Sequence, residues 1–127
     1  MIRSAALALA LVPAASAAAV ESIDAGWSEV ARARDGNCAL VVTGNGQFYR
    51  VAASGLEPGA GGRFVLTNGD MKPLDWDVRA DGAGRFARYY LPFRWHRAGG
   101  TVEVALESAR CTVSAAFDWR RADVTVR

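Results

Sequence analysis

Turn signals recur along this chain at short spacing, and no other feature limits its fold as tightly. They are Asp35-Gly36, Gly44-Asn45-Gly46, Pro58-Gly59, Gly61-Gly62, Asn68-Gly69, Asp81-Gly82 and Gly99-Gly100. Gly tolerates positive φ, Pro presets φ, and Asn and Asp bond their own backbone, so each cluster has a physical reason to turn. Between them lie short runs that alternate apolar and polar residues. That spacing predicts an all-β sandwich or barrel.

Several strands follow directly. Thr101 to Glu107 sets Val102, Val104 and Leu106 against Thr101, Glu103 and Glu107. Asp75 to Ala80 sets Trp76 and Val78 against Asp75, Asp77 and Arg79. Cys111, Val113, Ala115, Phe117 and Trp119 share one face of a last strand, and Cys38, Leu40 and Val42 share a face near the start. A period of two places each set on one side of a sheet. Arg63–Thr67 and Gly84–Leu91 also read as strands. Asn45-Gly46 predicts a two-residue type I′ hairpin between Cys38–Thr43 and Gln47–Ala53, because both its central residues need φ > 0. Trp27 to Arg34 fits both templates. As a helix it would face Trp27, Val30, Ala31 and Arg34 inward with Asp24 as cap; as a strand, Trp27, Glu29, Ala31 and Ala33. The strand is preferred because Asp35-Gly36 then joins it to its neighbour. The expected core is Leu40, Val42, Val51, Phe64, Leu66, Trp76, Val78, Phe86, Val102, Val104, Leu106, Val113, Phe117 and Trp119.

The N-terminus reads as an export signal. Arg3 is the positive region, Ala5 to Val12 the apolar run, and Ala15-Ser16-Ala17 the small-x-small cleavage pattern. The run is too short to span a hydrocarbon core of about 30 Å. Residues 1–17 are therefore expected to leave, with Ala17-Ala18-Ala19 as a second cleavage pattern, and residues 18–127 to form one domain outside the cytoplasm, periplasmic or secreted. In an oxidising compartment the two cysteines, Cys38 and Cys111, are expected to form one structural disulfide.

Two turns also resemble those of bacterial secreted immunoglobulin-like domains. Ala53-Ser54-Gly55-Leu56-Glu57-Pro58-Gly59 is similar to their Gly-hydrophobic-x-Pro-Gly turn, and Ala80-Asp81-Gly82-Ala83-Gly84-Arg85-Phe86 to their acidic-Gly hairpin. Leu91-Pro92 and Gly100-Thr101-Val102-Glu103-Val104 follow in the same order. The resemblance spans roughly Cys38 to Trp119. It implies an immunoglobulin-like antiparallel β-sandwich of about seven strands, and it transfers no catalytic or binding residue.

Charge and chemistry exclude more than they select. Fourteen Arg and one Lys face 13 acidic residues, and Arg3 leaves with the signal. A net charge this small, on an exported chain, argues against a nucleic-acid partner. One His and two paired Cys leave no zinc set. Asp70, Asp75, Asp77 and Asp81 lack the EF-hand order, and no metal or cofactor is expected. His96, flanked by Arg94 and Arg97, is a poor base because neighbouring positive charge disfavours its protonation. No G-x-S-x-G elbow is present. Glu103 with Glu107, or Asp75 with Asp77, could serve a polysaccharide hydrolase, but they oppose the apolar faces, and a general acid needs burial.

The most unusual stretch is Arg85-Phe86-Ala87-Arg88-Tyr89-Tyr90-Leu91-Pro92-Phe93-Arg94-Trp95-His96-Arg97. Tyr, Trp and Arg are the residues enriched at binding hot spots. The expectation is a small exported, non-catalytic binding module of the cell envelope, its partner an envelope protein or a glycan. Its surface would be Tyr89, Phe93, Arg94, Trp95 and Arg97. The alternative is a structural or stress-related envelope protein with no specific ligand, in which Phe93 and Trp95 plug the end of the sandwich.

Overall fold

The computed structural model describes residues 24–121. The expected signal at 1–17 and its cleavage site lie outside the described residues. Among the described residues eight antiparallel strands form two sheets, with no helix. The strands are β1 (Ser28–Asp35), β2 (Cys38–Gly44), β3 (Tyr49–Ser54), β4 (Gly61–Asn68), β5 (Leu74–Arg79), β6 (Phe86–Tyr90), β7 (Gly99–Ser108) and β8 (Cys111–Arg120). One sheet runs β1-β2-β3-β6, the other β5-β4-β7-β8. Among the described residues no helix is long and apolar enough to cross a membrane.

The ambiguous segment is a strand. Gly36, at φ 57°, opens the two-residue turn that pairs Asp35 with Cys38. The register slips between Glu29 and Ala31, so Val30 bulges toward solvent while Ala31 and Ala33 pack on the core. Elsewhere period-two alternation places the side chains as expected. Twelve of the fourteen expected core residues are buried; Trp76 and Phe86 are half-buried and pack against the rest. They belong to β5 and β6, each at a sheet edge, where one flank of every side chain lacks a neighbouring strand. Trp76 stacks on Phe64, and the Arg88 guanidinium lies 4.9 Å from the Trp76 ring centre, covering its open side.

Three turn expectations need correction. The β2–β3 connection is not a type I′ pair. Gly44 pairs with Tyr49 and the loop is Asn45–Phe48. Asn45 keeps negative φ, and its side-chain Oδ1 accepts from the backbone N–H of Gln47 and of Phe48. An Asn that caps its own loop this way competes successfully with the tighter turn. Likewise Gly61-Gly62 and Gly99-Gly100 do not turn; they lie inside β4 and β7. At Gly100 the reason is close approach: a Cβ there would sit 3.1 Å from the indole Nε1 of Trp119.

Cys38 of β2 and Cys111 of β8 form the expected disulfide, across the two sheets. Beside it Asp35 accepts a hydrogen bond from the Thr112 N–H at 3.0 Å, so the same edge is joined twice. The bridge closes a separation of 73 residues, for which loop-closure entropy sets an upper figure of about 4 kcal/mol. A Cys38→Ala, Cys111→Ala protein should therefore lose about 2–4 kcal/mol in urea unfolding, with its slope the check on denatured-state change. An unchanged midpoint would mean the bridge constrains nothing.

Candidate functional site

One buried polar residue organises the end of the sandwich. Asn68 closes β4 and is 3% exposed, the only buried polar or charged side chain among the described residues. Its Nδ2 donates to the Tyr90 hydroxyl at 3.1 Å and to the Pro92 carbonyl at 2.9 Å. Its Oδ1 accepts from the Trp119 indole N–H at 3.1 Å. These bonds tie β4 to β8, reach across to β6 in the other sheet, and hold the first turn of the loop after Tyr90. A buried amide is tolerated only when satisfied, and this one is satisfied at both ends.

The loop so held is Leu91 to Ala98, and it carries four of the five expected binding residues. Its far side is pinned by charge. Arg94 donates to Asp70 at 2.6 Å and Arg97 reaches the same carboxylate at 3.4 Å. The Arg94 guanidinium, with Arg97 adding charge, holds the Asp70 carboxyl below its ordinary range. Between the pins the chain turns tightly, the Arg97 N–H meeting the Arg94 carbonyl at 3.4 Å. His96 occupies the third position of that turn at φ 67°, the only non-Gly residue with positive φ among the described residues. A turn with positive φ there ordinarily takes Gly or Asn. The strained residue is next to Trp95, which stands at the tip with 75% of its surface exposed. Trp95 therefore does not plug the sandwich.

The expected residues divide among three places. Phe93 and Trp95 meet edge to face, ring centres 5.6 Å apart. Arg94 and Arg97 turn to Asp70, on the wall of a polar recess completed by Asn68, Gly99 and Trp119. Tyr89 points outward from β6, edge to face with Trp27 at 6.0 Å and opposite Arg50 of β3. Arg50 in turn pairs with Asp24 at 3.3 Å.

Sequence reading missed the other half of the aromatic end. Phe48, at the β2–β3 loop, and Leu91 are 45% and 51% exposed. With Pro92, Phe93, Arg120 and Arg121 they line an open cleft of about 360 Å³. Arg121 lies over the Phe93 ring, 5.1 Å from its centre. A signal for Phe48 existed: Tyr49, Val51 and Ala53 alternate inward, so Phe48 must face out. Joining it to Leu91 required the pairing of β3 with β6, which only the fold supplies.

The carboxylates weighed for hydrolysis stand apart from this end. Glu103, Glu107, Asp75 and Asp77 are all exposed on the second sheet. Arg63 hydrogen-bonds Asp75 and lowers its proton affinity, the opposite of what a general acid needs. Asp81 accepts from the Arg85 and Ala83 backbone N–H groups and shapes a turn. Among the described residues no cluster of His, Cys, Asp and Glu could hold a metal ion.

No family model matches the chain, and no curated protein or solved structure matches it either.

Two outcomes test the site's construction. Asn68→Ala leaves the Trp119 indole and the Pro92 carbonyl without buried partners, and should cost about 2–3 kcal/mol in urea unfolding. The Asp70 pairing has a carboxyl whose folded value is lowered. It is fully present at neutral pH and is lost only as pH falls through that lowered value. With His96 replaced by Asn, which removes the neighbouring imidazole and tolerates the positive φ, the Trp95 indole NMR resonance should stay fixed from pH 7 to roughly 5 and shift only in stronger acid. Asp70→Asn should show the acid-like position already at pH 7.

Proposed function

We infer that this chain is a small exported binding module of the cell envelope, without catalysis, built on an immunoglobulin-like sandwich. The observation that carries the binding reading is Trp95. A large aromatic side chain is held in solvent at the tip of a turn, on a loop pinned from beneath by Asn68 and from the side by Asp70. Holding an aromatic rigid before association reduces what binding must order. Phe48, Leu91, Phe93, Arg120 and Arg121 extend it into one apolar and cationic surface, with Tyr89 on the adjoining sheet face. The reading as a ligand-free structural protein needs this segment buried, so the exposure of Trp95 favours binding. The exposed carboxylates favour a non-catalytic role.

The strand order supports the fold name. Lettered A, B, C, C′, E, F and G, strands β2 to β8 form sheets A-B-E and C′-C-F-G. This is a Greek-key sandwich in which the fourth strand pairs with C, with β1 added outside A. The inter-sheet disulfide suits an oxidising compartment.

The test is a photoreactive residue at position 95 in the native host, with adducts resolved by gel and by intact mass. A discrete covalent adduct is expected. Recovery of unmodified protein alone would overturn the reading.

A further inference from the structure

We propose that the cleft between the β2–β3 loop and the Leu91–Ala98 loop takes a single anionic amphiphile, a molecule with one apolar chain and one acidic head. This rests on the binding reading above and names its ligand class. The walls are apolar: Phe48 on one side, Leu91, Pro92 and Phe93 on the other. The rim is cationic. Arg120 and Arg121 line it, and neither makes an ion pair among the described residues. The other arginines of this end are engaged, Arg50 by Asp24 and Arg94 and Arg97 by Asp70.

The chemistry of the lining selects among ligands. Sugar hydroxyls and peptide amides both accept and donate, and their donors are best met by carboxylate or amide acceptors. Among the described residues no carboxylate lines the cleft, and Gln47 is its only side-chain amide. What the lining offers is apolar area and guanidinium donors. Arginine forks match carboxylate or phosphate oxygens in bidentate fashion, and an alkyl chain asks for no hydrogen bond. The cleft of about 360 Å³ lies within the range that encloses small ligands. The Arg121 guanidinium already lies over Phe93, so head-group and chain contacts meet at one place.

The probe is decanoate below its micellar concentration, followed by calorimetry on the mature protein, with decanol and decyltrimethylammonium as head-group controls. Decanoate should bind saturably at one per chain, about tenfold or more above either control. Arg120→Gln with Arg121→Gln should remove that preference, and Phe48→Ser should weaken decanoate and decanol alike. Both sites are exposed, so folding should survive, and circular dichroism would verify it. Absence of saturable decanoate binding overturns the proposal. So does equal binding of the three probes, or decanoate binding that ignores these substitutions, or association with anionic vesicles without binding of the monomer. If decanoate fails while position 95 still yields an adduct, the ligand class is wrong and the binding reading stands; if position 95 yields none, that reading falls by itself.

Discussion

The end of this sandwich depends on one side chain. Asn68 satisfies a buried indole, a tyrosine hydroxyl and a loop carbonyl at once, and so links β4, β8, β6 and the loop beyond β6. The Asn68 amide, the Trp119 indole and the Pro92 carbonyl are interdependent, because each would be a buried unpaired dipole without its partner, and the half-buried Tyr90 hydroxyl adds a fourth contact. Their low-dielectric setting strengthens every bond and raises the cost of losing one. The effect is to fix the exit direction of the chain after Tyr90, and thereby the position of everything on the Leu91–Ala98 loop.

At the opposite end the sheets are held by different means. The Cys38–Cys111 bridge and the Asp35–Thr112 hydrogen bond join β2, β1 and β8 where the strands begin and end. Between these two fastenings lies an ordinary apolar core, with Phe64, Leu40, Leu66 and Leu106 at its centre. Among the described residues the other end has no cross-link; it is ordered by the polar contacts of Asn68 and Asp70 together with the packing of Tyr49, Phe117 and Trp119. The strain at His96 is sustained by this order: Arg94 and Arg97, on either side of the Trp95-His96 pair, are both drawn to Asp70.

Trp95 is exposed and meets Phe93, which lines the cleft with Leu91 and Phe48, so this end leaves several large apolar side chains in water, and Arg120 and Arg121 line the same cleft. Exposed apolar area of this kind, rimmed by polar groups, is a mark of interaction sites. The arginines divide into two populations with different consequences. Those facing Asp70 and Asp24 build the surface; Arg120 and Arg121 make no ion pair among the described residues.

The strands, the inward faces and the cysteine pairing were legible in the residues, because alternation at period two is a local property that burial on one side of a sheet enforces. The aromatic segment was legible too, as composition. Its geometry was not. Asn68 reads locally as half of an Asn-Gly turn, and only the meeting of β4, β6 and β8 makes it a buried hub. Asn45-Gly46 reads as a tight hairpin, yet its side chain caps a longer loop that carries Phe48. The glycines of β4 and β7 read as turns, while Gly100 is needed to admit the Trp119 ring. The sequence by itself determined the inward faces of the clearly alternating strands, while Trp27 to Arg34 fitted both helix and strand and became an eighth strand beyond the expected seven. Only the tertiary structure decided which outward residues share a surface, because that depends on pairings between segments far apart in the chain.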